Sequence, residues 1–78
     1  MSVTVLYFAS LRDAAGIASE QLPRPDSLRA LYEQLRARHA LPLAPERLRV
    51  AMDGSFCGWD APVSEGAEIA FIPPVSGG

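Results

Sequence analysis

The groups of this chain best suited to chemistry gather at its C-terminus, in Val75-Ser76-Gly77-Gly78. Two successive glycines add nothing to a core and carry the largest backbone entropy cost on being fixed. They do form a thread without β-carbons, slim enough to enter a narrow cleft and present a carboxylate to another protein. An α-carboxyl group has a reference pKa of about 3.3–3.7, so at neutral pH it is ionised and a poor electrophile. Reaction at Gly78 therefore requires activation, most simply as a mixed anhydride with a nucleotide. The plain alternative is a frayed end, as chain termini commonly are. The rest of the chain favours the chemical reading.

The other conspicuous side chains have simpler roles. Cys57 is the single cysteine, which excludes an internal disulfide and a multi-cysteine metal or iron–sulfur site. A lone thiol in a short strand reads as a small hydrophobe rather than a sulfur acceptor. His39, the one histidine, falls near the end of a helix, where an imidazolium suits the dipole. Trp59 reads as a packing residue over a short hairpin. Arg29, Arg36 and Arg38 read as a solvated helix face. Arg12 follows the first strand and can pair with an acidic residue of a partner. There is no glycine-rich phosphate loop and no helix-borne metal motif, so the chain is expected to bind no metal and no cofactor itself.

Seventy-eight residues make one small domain, long enough for one sheet packed on one helix. With 49% apolar residues and a net charge of −2, the composition is that of a folded globule, not a disordered tail. The seven basic residues are all arginine and are outnumbered by nine acidic ones, which argues against nucleic acid as a partner. The chain enters at once into Val3-Thr4-Val5-Leu6-Tyr7-Phe8 without a basic, signal-like stretch, and no apolar run is long enough to span a membrane. A cytoplasmic, reducing setting with no membrane partner is expected.

These residues need a scaffold, and the hydrophobic periodicity supplies one. Residues 2–8 read as a buried strand rich in β-branched and aromatic types. Ser10 can cap a short helix over 11–15 that Gly16 stops. Ile17 to Leu22 reads as a weaker edge strand, closed by Pro23 and Pro25. Asp26 or Ser27 then caps a helix to about His39, whose Leu28, Leu31, Tyr32 and Leu35 recur at i, i+3, i+4 and i+7 on one buried face. A proline-bearing loop, 41–46, leads to strands at 48–52 and 55–59 joined by Asp53-Gly54, a type I′ turn signal. The last strand spans 68–72. Pro73-Pro74 cannot donate to a ladder, so the sheet ends there and the tail leaves extended.

The order ββαβββ implies an α+β fold of the β-grasp, ubiquitin-like type: a mixed sheet with one main helix across one face. The domain covers residues 1–72 and the tail residues 73–78. The first and last strands are expected side by side and parallel at the centre, since both are apolar and central parallel strands are well covered. If Val3, Val5 and Tyr7 face the helix, then Thr4, Leu6 and Phe8 face away. In the last strand Ile69 and Phe71 face in, leaving Ala70 and Ile72 outside. Phe8, Phe56 and Ile72 then form an apolar patch on the open face, suited to a partner.

At this point the chain resembles the small, sulfur-carrier subunits of molybdopterin synthase. The resemblance rests on Val5-Leu6-Tyr7-Phe8-Ala9 with Leu11-Arg12, on Val50-Ala51-Met52-Asp53, and on Gly66 to Gly78. The last stretch is the most specific: a strand, a double proline, a small hydroxylated residue and Gly-Gly. Similar proteins often carry Asn in place of Asp53 and an acidic residue in place of Ala67, both in turns that these residues can still make. Cys57 is not part of the pattern.

The resemblance implies a carrier mechanism centred on Gly78, with Gly77 behind it. An E1-like adenylating enzyme would activate the Gly78 carboxylate with ATP. A sulfurtransferase persulfide would replace AMP and leave a thiocarboxylate. Pro73, Pro74, Val75 and Ser76 would thread into the large subunit, with Phe8, Arg12, Phe56 and Ile72 docking beside them. There the sulfur would pass to cyclic pyranopterin monophosphate, within a heterotetramer built on a dimer of large subunits. The alternatives are a thiamine-pathway sulfur carrier, whose tail normally lacks the Phe71-Ile72-Pro73-Pro74 approach, a ubiquitin-like protein modifier, and a non-catalytic RNA-binding β-grasp domain.

Overall fold

Five strands and two helices form from segments whose periodicity marks them, in a computed structural model that describes residues 2–74. The chain runs β1 (Ser2–Tyr7), α1 (Ala9–Ala15), β2 (Ser19–Pro23), α2 (Leu28–His39), β3 (Arg49–Met52), β4 (Ser55–Cys57) and β5 (Glu68–Ile72). The sheet order is β2-β1-β5-β3-β4. β1 and β5 are parallel neighbours at the centre, with Val5 level with Ile69 and Tyr7 level with Phe71. The other three pairings are antiparallel. This is the expected β-grasp arrangement.

Alternation along the strands builds the core. Val3, Val5, Tyr7, Ile69, Phe71 and Val50 face α2, each no more than 2% exposed. The helix meets them with Leu28, Leu31, Tyr32 and Leu35, none more than 1% exposed, as their spacing requires. Ser27 is the N-cap: its hydroxyl accepts from the Ala30 N–H at 3.0 Å. The helix ends with Arg36, Arg38 and His39 in its last turn, where positive charge suits the dipole. The buried Tyr32 hydroxyl donates to the Leu43 carbonyl at 2.6 Å, so the ring can sit in the core with its polar atom satisfied.

The turn after β3 takes the conformation its residues favour. Asp53 has φ 53° and Gly54 φ 86°, the two positive values of a type I′ hairpin. Asp53 also accepts from the Glu68 N–H through Oδ1 at 2.9 Å and donates its own N–H to the Glu68 carbonyl at 2.8 Å. The hairpin tip is thereby tied to the start of β5.

Some expected boundaries shift. β1 stops at Tyr7, so Phe8 is outside the strand and serves as the N-cap residue of α1. Ser10 does not cap that helix. The turn starts earlier, with the Phe8 carbonyl accepting from Leu11 at 3.0 Å and Ala9 bent to φ 51°, so Ser10 lies inside it. Gly16 ends it in the left-handed region at φ 77°, as expected. β2 starts at Ser19 rather than Ile17, and β4 ends at Cys57, leaving Trp59 beyond it. Pro45–Arg47 adds a turn of 3-10 helix before β3. Val75, Ser76, Gly77 and Gly78, the core of the expected site, lie outside the described residues.

Candidate docking face and tail root

The face of the sheet opposite α2 has no covering element among the described residues, and the strand register orders its side chains into rows. Across the middle run Ser19, Leu6, Ala70, Ala51 and Phe56. Large residues stand at Leu6 and Phe56, and the two alanines between them lie at 9% and 8% exposure. The result is a shallow apolar trough. Toward the end where the chain leaves the sheet, Ile72 is level with Arg49. Toward the other end lie Gln21, Thr4 and Glu68.

The expected patch residues fall around this trough. Phe56 is 58% exposed and Phe8 44%, while Ile72 is half-buried. Tyr7 is level with Phe71, so carrying the parallel register one step further sets Phe8 level with Ile72. Phe56 stands two strands away from Ile72, on β4 level with Ala51 of β3. Arg49 lies between them, with its guanidinium carbon 4.1 Å from the centre of the Phe56 ring. Arg12 is exposed on α1, where it lines a shallow hollow of about 300 Å³ with Asp13, Gly16, Ile17 and Ala18. Pro73 is half-buried and Pro74 exposed, beyond the end of β5.

The remaining chemistry-bearing side chains serve the fold. Cys57 is partly buried against the core, and that burial raises its thiol pKa. A raised pKa lowers the share of thiolate, the nucleophilic form. Trp59 stacks on Phe71 with ring centres 5.7 Å apart and planes at 15°, and Arg29 lies 5.5 Å over it. The helix arginines reach carboxylates: Arg29 to Glu46 at 3.4 Å, Arg36 to Glu33 at 4.0 Å and Arg38 to Glu20 at 3.4 Å. No group of His, Cys, Asp or Glu among the described residues could hold a metal ion, and no described helix is long and apolar enough to cross a membrane.

One polar cluster escapes the sequence reading. Glu20 is level with Val5, on the core side of the edge strand, under the end of α2. It accepts from the Tyr7 hydroxyl at 2.5 Å and contacts His39 Nε2 at 2.7 Å and Arg38 at 3.4 Å. Burial pushes its pKa up, but the hydrogen bonds from Tyr7 and His39 and the charges of His39 and Arg38 bring it below the usual carboxylate value. Tyr7 moves the other way: burial first, then the Glu20 carboxylate, hold its proton far more tightly than usual. The cluster clasps β2 to α2.

Comparison with known proteins agrees with this geometry. Residues 5–78 match the ThiS family. The molybdopterin synthase sulfur carrier subunit of Escherichia coli is 32% identical over 80 residues, covering 97% of this chain and 99% of its own. The corresponding subunit of Haemophilus influenzae is 34% identical over 80 residues with the same coverage. Among solved structures, a candidate molybdopterin converting factor subunit 1 of Pyrococcus furiosus matches with TM-score 0.77 and 27% identity, over 96% of this chain and 99% of its own. Small archaeal modifier protein 1 of Methanosarcina acetivorans matches with TM-score 0.82 and 25% identity, over 99% and 96% of the two chains. A chain from the Helicobacter pylori complex of subunits 1 and 2 of molybdopterin-converting factor shares the fold over the full length of both chains, with TM-score 0.71 and 22% identity. The chain belongs to the ThiS family, in the company of the molybdopterin synthase sulfur carrier subunits that it matches nearly from end to end.

Proposed function

We propose that this chain is the sulfur carrier of a molybdopterin synthase, with Gly78 as its reactive residue. The observation that carries the reading is the match along 97% of the chain to two sulfur carrier subunits, joined to the Pro73-Pro74-Val75-Ser76-Gly77-Gly78 ending. An E1-like enzyme adenylates the Gly78 carboxylate: a carboxylate oxygen attacks the α-phosphorus of ATP and pyrophosphate leaves. The terminal sulfur of a sulfurtransferase persulfide then attacks the acyl carbon and expels AMP. A second thiol reduces the resulting acyl disulfide and releases the thiocarboxylate. Inside the large subunit the sulfur passes to the pterin, and two turns supply the two sulfurs of a dithiolene. ATP is consumed by the activating enzyme, and the chain needs no bound cofactor. The setting is the cytoplasm, where thiols stay reduced.

Docking on the large subunit, in a heterotetramer, uses Phe8, Phe56 and Ile72 on the open face with Arg12 at the rim. The solved Helicobacter pylori fold neighbour was taken from a complex of two subunits, which supports this use of the fold. Residues 73–78 span at most about 20 Å when extended, with little slack, and the reacting carbon has to arrive within about 3–3.5 Å of its nucleophile. Deleting Gly78, appending one residue, or changing Gly77→Val is therefore expected to abolish pterin sulfuration while leaving the thermal melt unchanged. Full activity with an added C-terminal residue would refute the reading. A protein modifier is the second reading, supported by the likeness to the Methanosarcina acetivorans protein. It predicts Gly78 in isopeptide linkage to lysine side chains instead.

A further inference from the structure

Arg49 stands where the open face meets the root of the tail. Its register partner on β5 is Ile72, the last residue of that strand, and Pro73 follows. The guanidinium is held against the Phe56 ring at 4.1 Å, over an apolar surface. Arg29, Arg36 and Arg38 each reach a carboxylate, whereas Arg49 has no such partner among the described residues. The acidic residue of the same face, Glu68, is at the other end of β5, roughly 13 Å away at about 3.3 Å per strand residue. The face is thus charged lengthwise: negative where β5 begins, positive where the tail leaves, and apolar across the middle.

That pattern constrains what can cover it. A partner that buries Phe56, Ile72 and Leu6 also strips water from Arg49, and a desolvated cation without a countercharge opposes association. The guanidinium carbon lies 4.1 Å from the Phe56 ring centre, and Arg49 makes no ion pair among the described residues, so its N–H fork is available to match a carboxylate. We propose that Arg49 is the specificity-determining residue of this face. The partner surface that fits is apolar opposite the Leu6–Phe56 row and sets an Asp or Glu carboxylate against the Arg49 edge. This inference rests on the sulfur-carrier reading and adds the chemistry of the partner. A charge pair beside the tail root would fix the register of docking, and with a tail of so little slack it would fix where Gly78 arrives.

The test is calorimetric titration of the full-length chain with its cognate large subunit at several ionic strengths. Arg49→Met keeps an aliphatic stem over Phe56 without the charge. It is expected to weaken binding about tenfold or more and to flatten the salt dependence, with the thermal melt lowered by no more than the few degrees that loss of the contact with Phe56 accounts for. Arg49→Lys, which keeps the charge but not the fork, is expected to fall between wild type and Arg49→Met and to retain the salt response. Wild-type affinity and wild-type salt response in Arg49→Met would overturn the inference alone. Absence of any binding by the wild-type chain would overturn the carrier reading together with it.

Discussion

Phe56→Ala separates the docking role proposed for the open face from its part in the fold. The ring is 58% exposed, and what it touches is the Arg49 guanidinium and its cross-strand neighbour Ala51 rather than the core. An exposed cation–π contact is worth about 0.5–1 kcal/mol and a cross-strand pair about 0.2–1 kcal/mol, so the fold loses about 1–2 kcal/mol, several degrees in Tm. Docking is affected more. A phenylalanine can bury roughly 200 Å², and with 58% still exposed a little over half of that, about 115 Å², remains for a partner to cover. At about 25 cal/mol per Å² this amounts to about 3 kcal/mol, and about 2 kcal/mol after the methyl that alanine retains. That corresponds to about a thirtyfold rise in Kd. Calorimetry with the large subunit reads the affinity, and a thermal melt on the same sample reads the fold. A folded Phe56→Ala variant that binds within twofold of wild type would remove Phe56 from the interface and refute the assignment of this face.

Two further outcomes follow from local geometry. Glu20 has a lowered pKa in the fold, so its contribution to stability is complete above the unfolded carboxylate value of about 4.3 and is lost as pH falls through its lower folded value. Glu20→Gln is therefore expected to destabilise the chain at pH 7 and to show a shallower loss of stability below about pH 4.3, measured by urea unfolding at both ends of that range. An unchanged acid limb would show that the clasp with Tyr7 and His39 does not hold in solution. Ala40 closes α2 at φ 54°, a left-handed conformation that costs a β-carbon-bearing residue about 1–2 kcal/mol. Ala40→Gly is expected to raise stability by about 0.5–1 kcal/mol in the same assay, and a loss would mean that Ala40 is held there by packing instead.

Local rules made most of the scaffold legible. The face of α2 follows from the spacing of Leu28, Leu31, Tyr32 and Leu35, because only one helical phase buries all four. Asp53-Gly54 named its turn because few other pairs accept two positive φ values. Parity along β5 set Ile72 outside and Phe71 inside. The features that escaped depend on residues distant in sequence. Glu20 on an edge strand looks like a solvated charge until its partner His39, nineteen positions later, is packed against it. Arg49 was one of seven arginines until the β3–β4 register set Phe56 under it. Phe8 kept its exposure but not its strand, because the bend at Ala9 starts α1 early. Of the candidate site, the residues proposed for docking have positions on the fold, whereas Val75, Ser76, Gly77 and Gly78 lie outside the described residues.

The central claim, that Gly78 carries sulfur, is tested most directly by intact-mass spectrometry of the full-length chain. The chain is incubated with its cognate adenylating enzyme, ATP, a persulfide-bearing sulfurtransferase and a thiol reductant. The account predicts a species heavier by the replacement of one oxygen with sulfur, with fragmentation placing the change at Gly78 and with no change when ATP is left out. A mass that stays at the carboxylate value, or sulfur found on Cys57 with Gly78 unmodified, would contradict it.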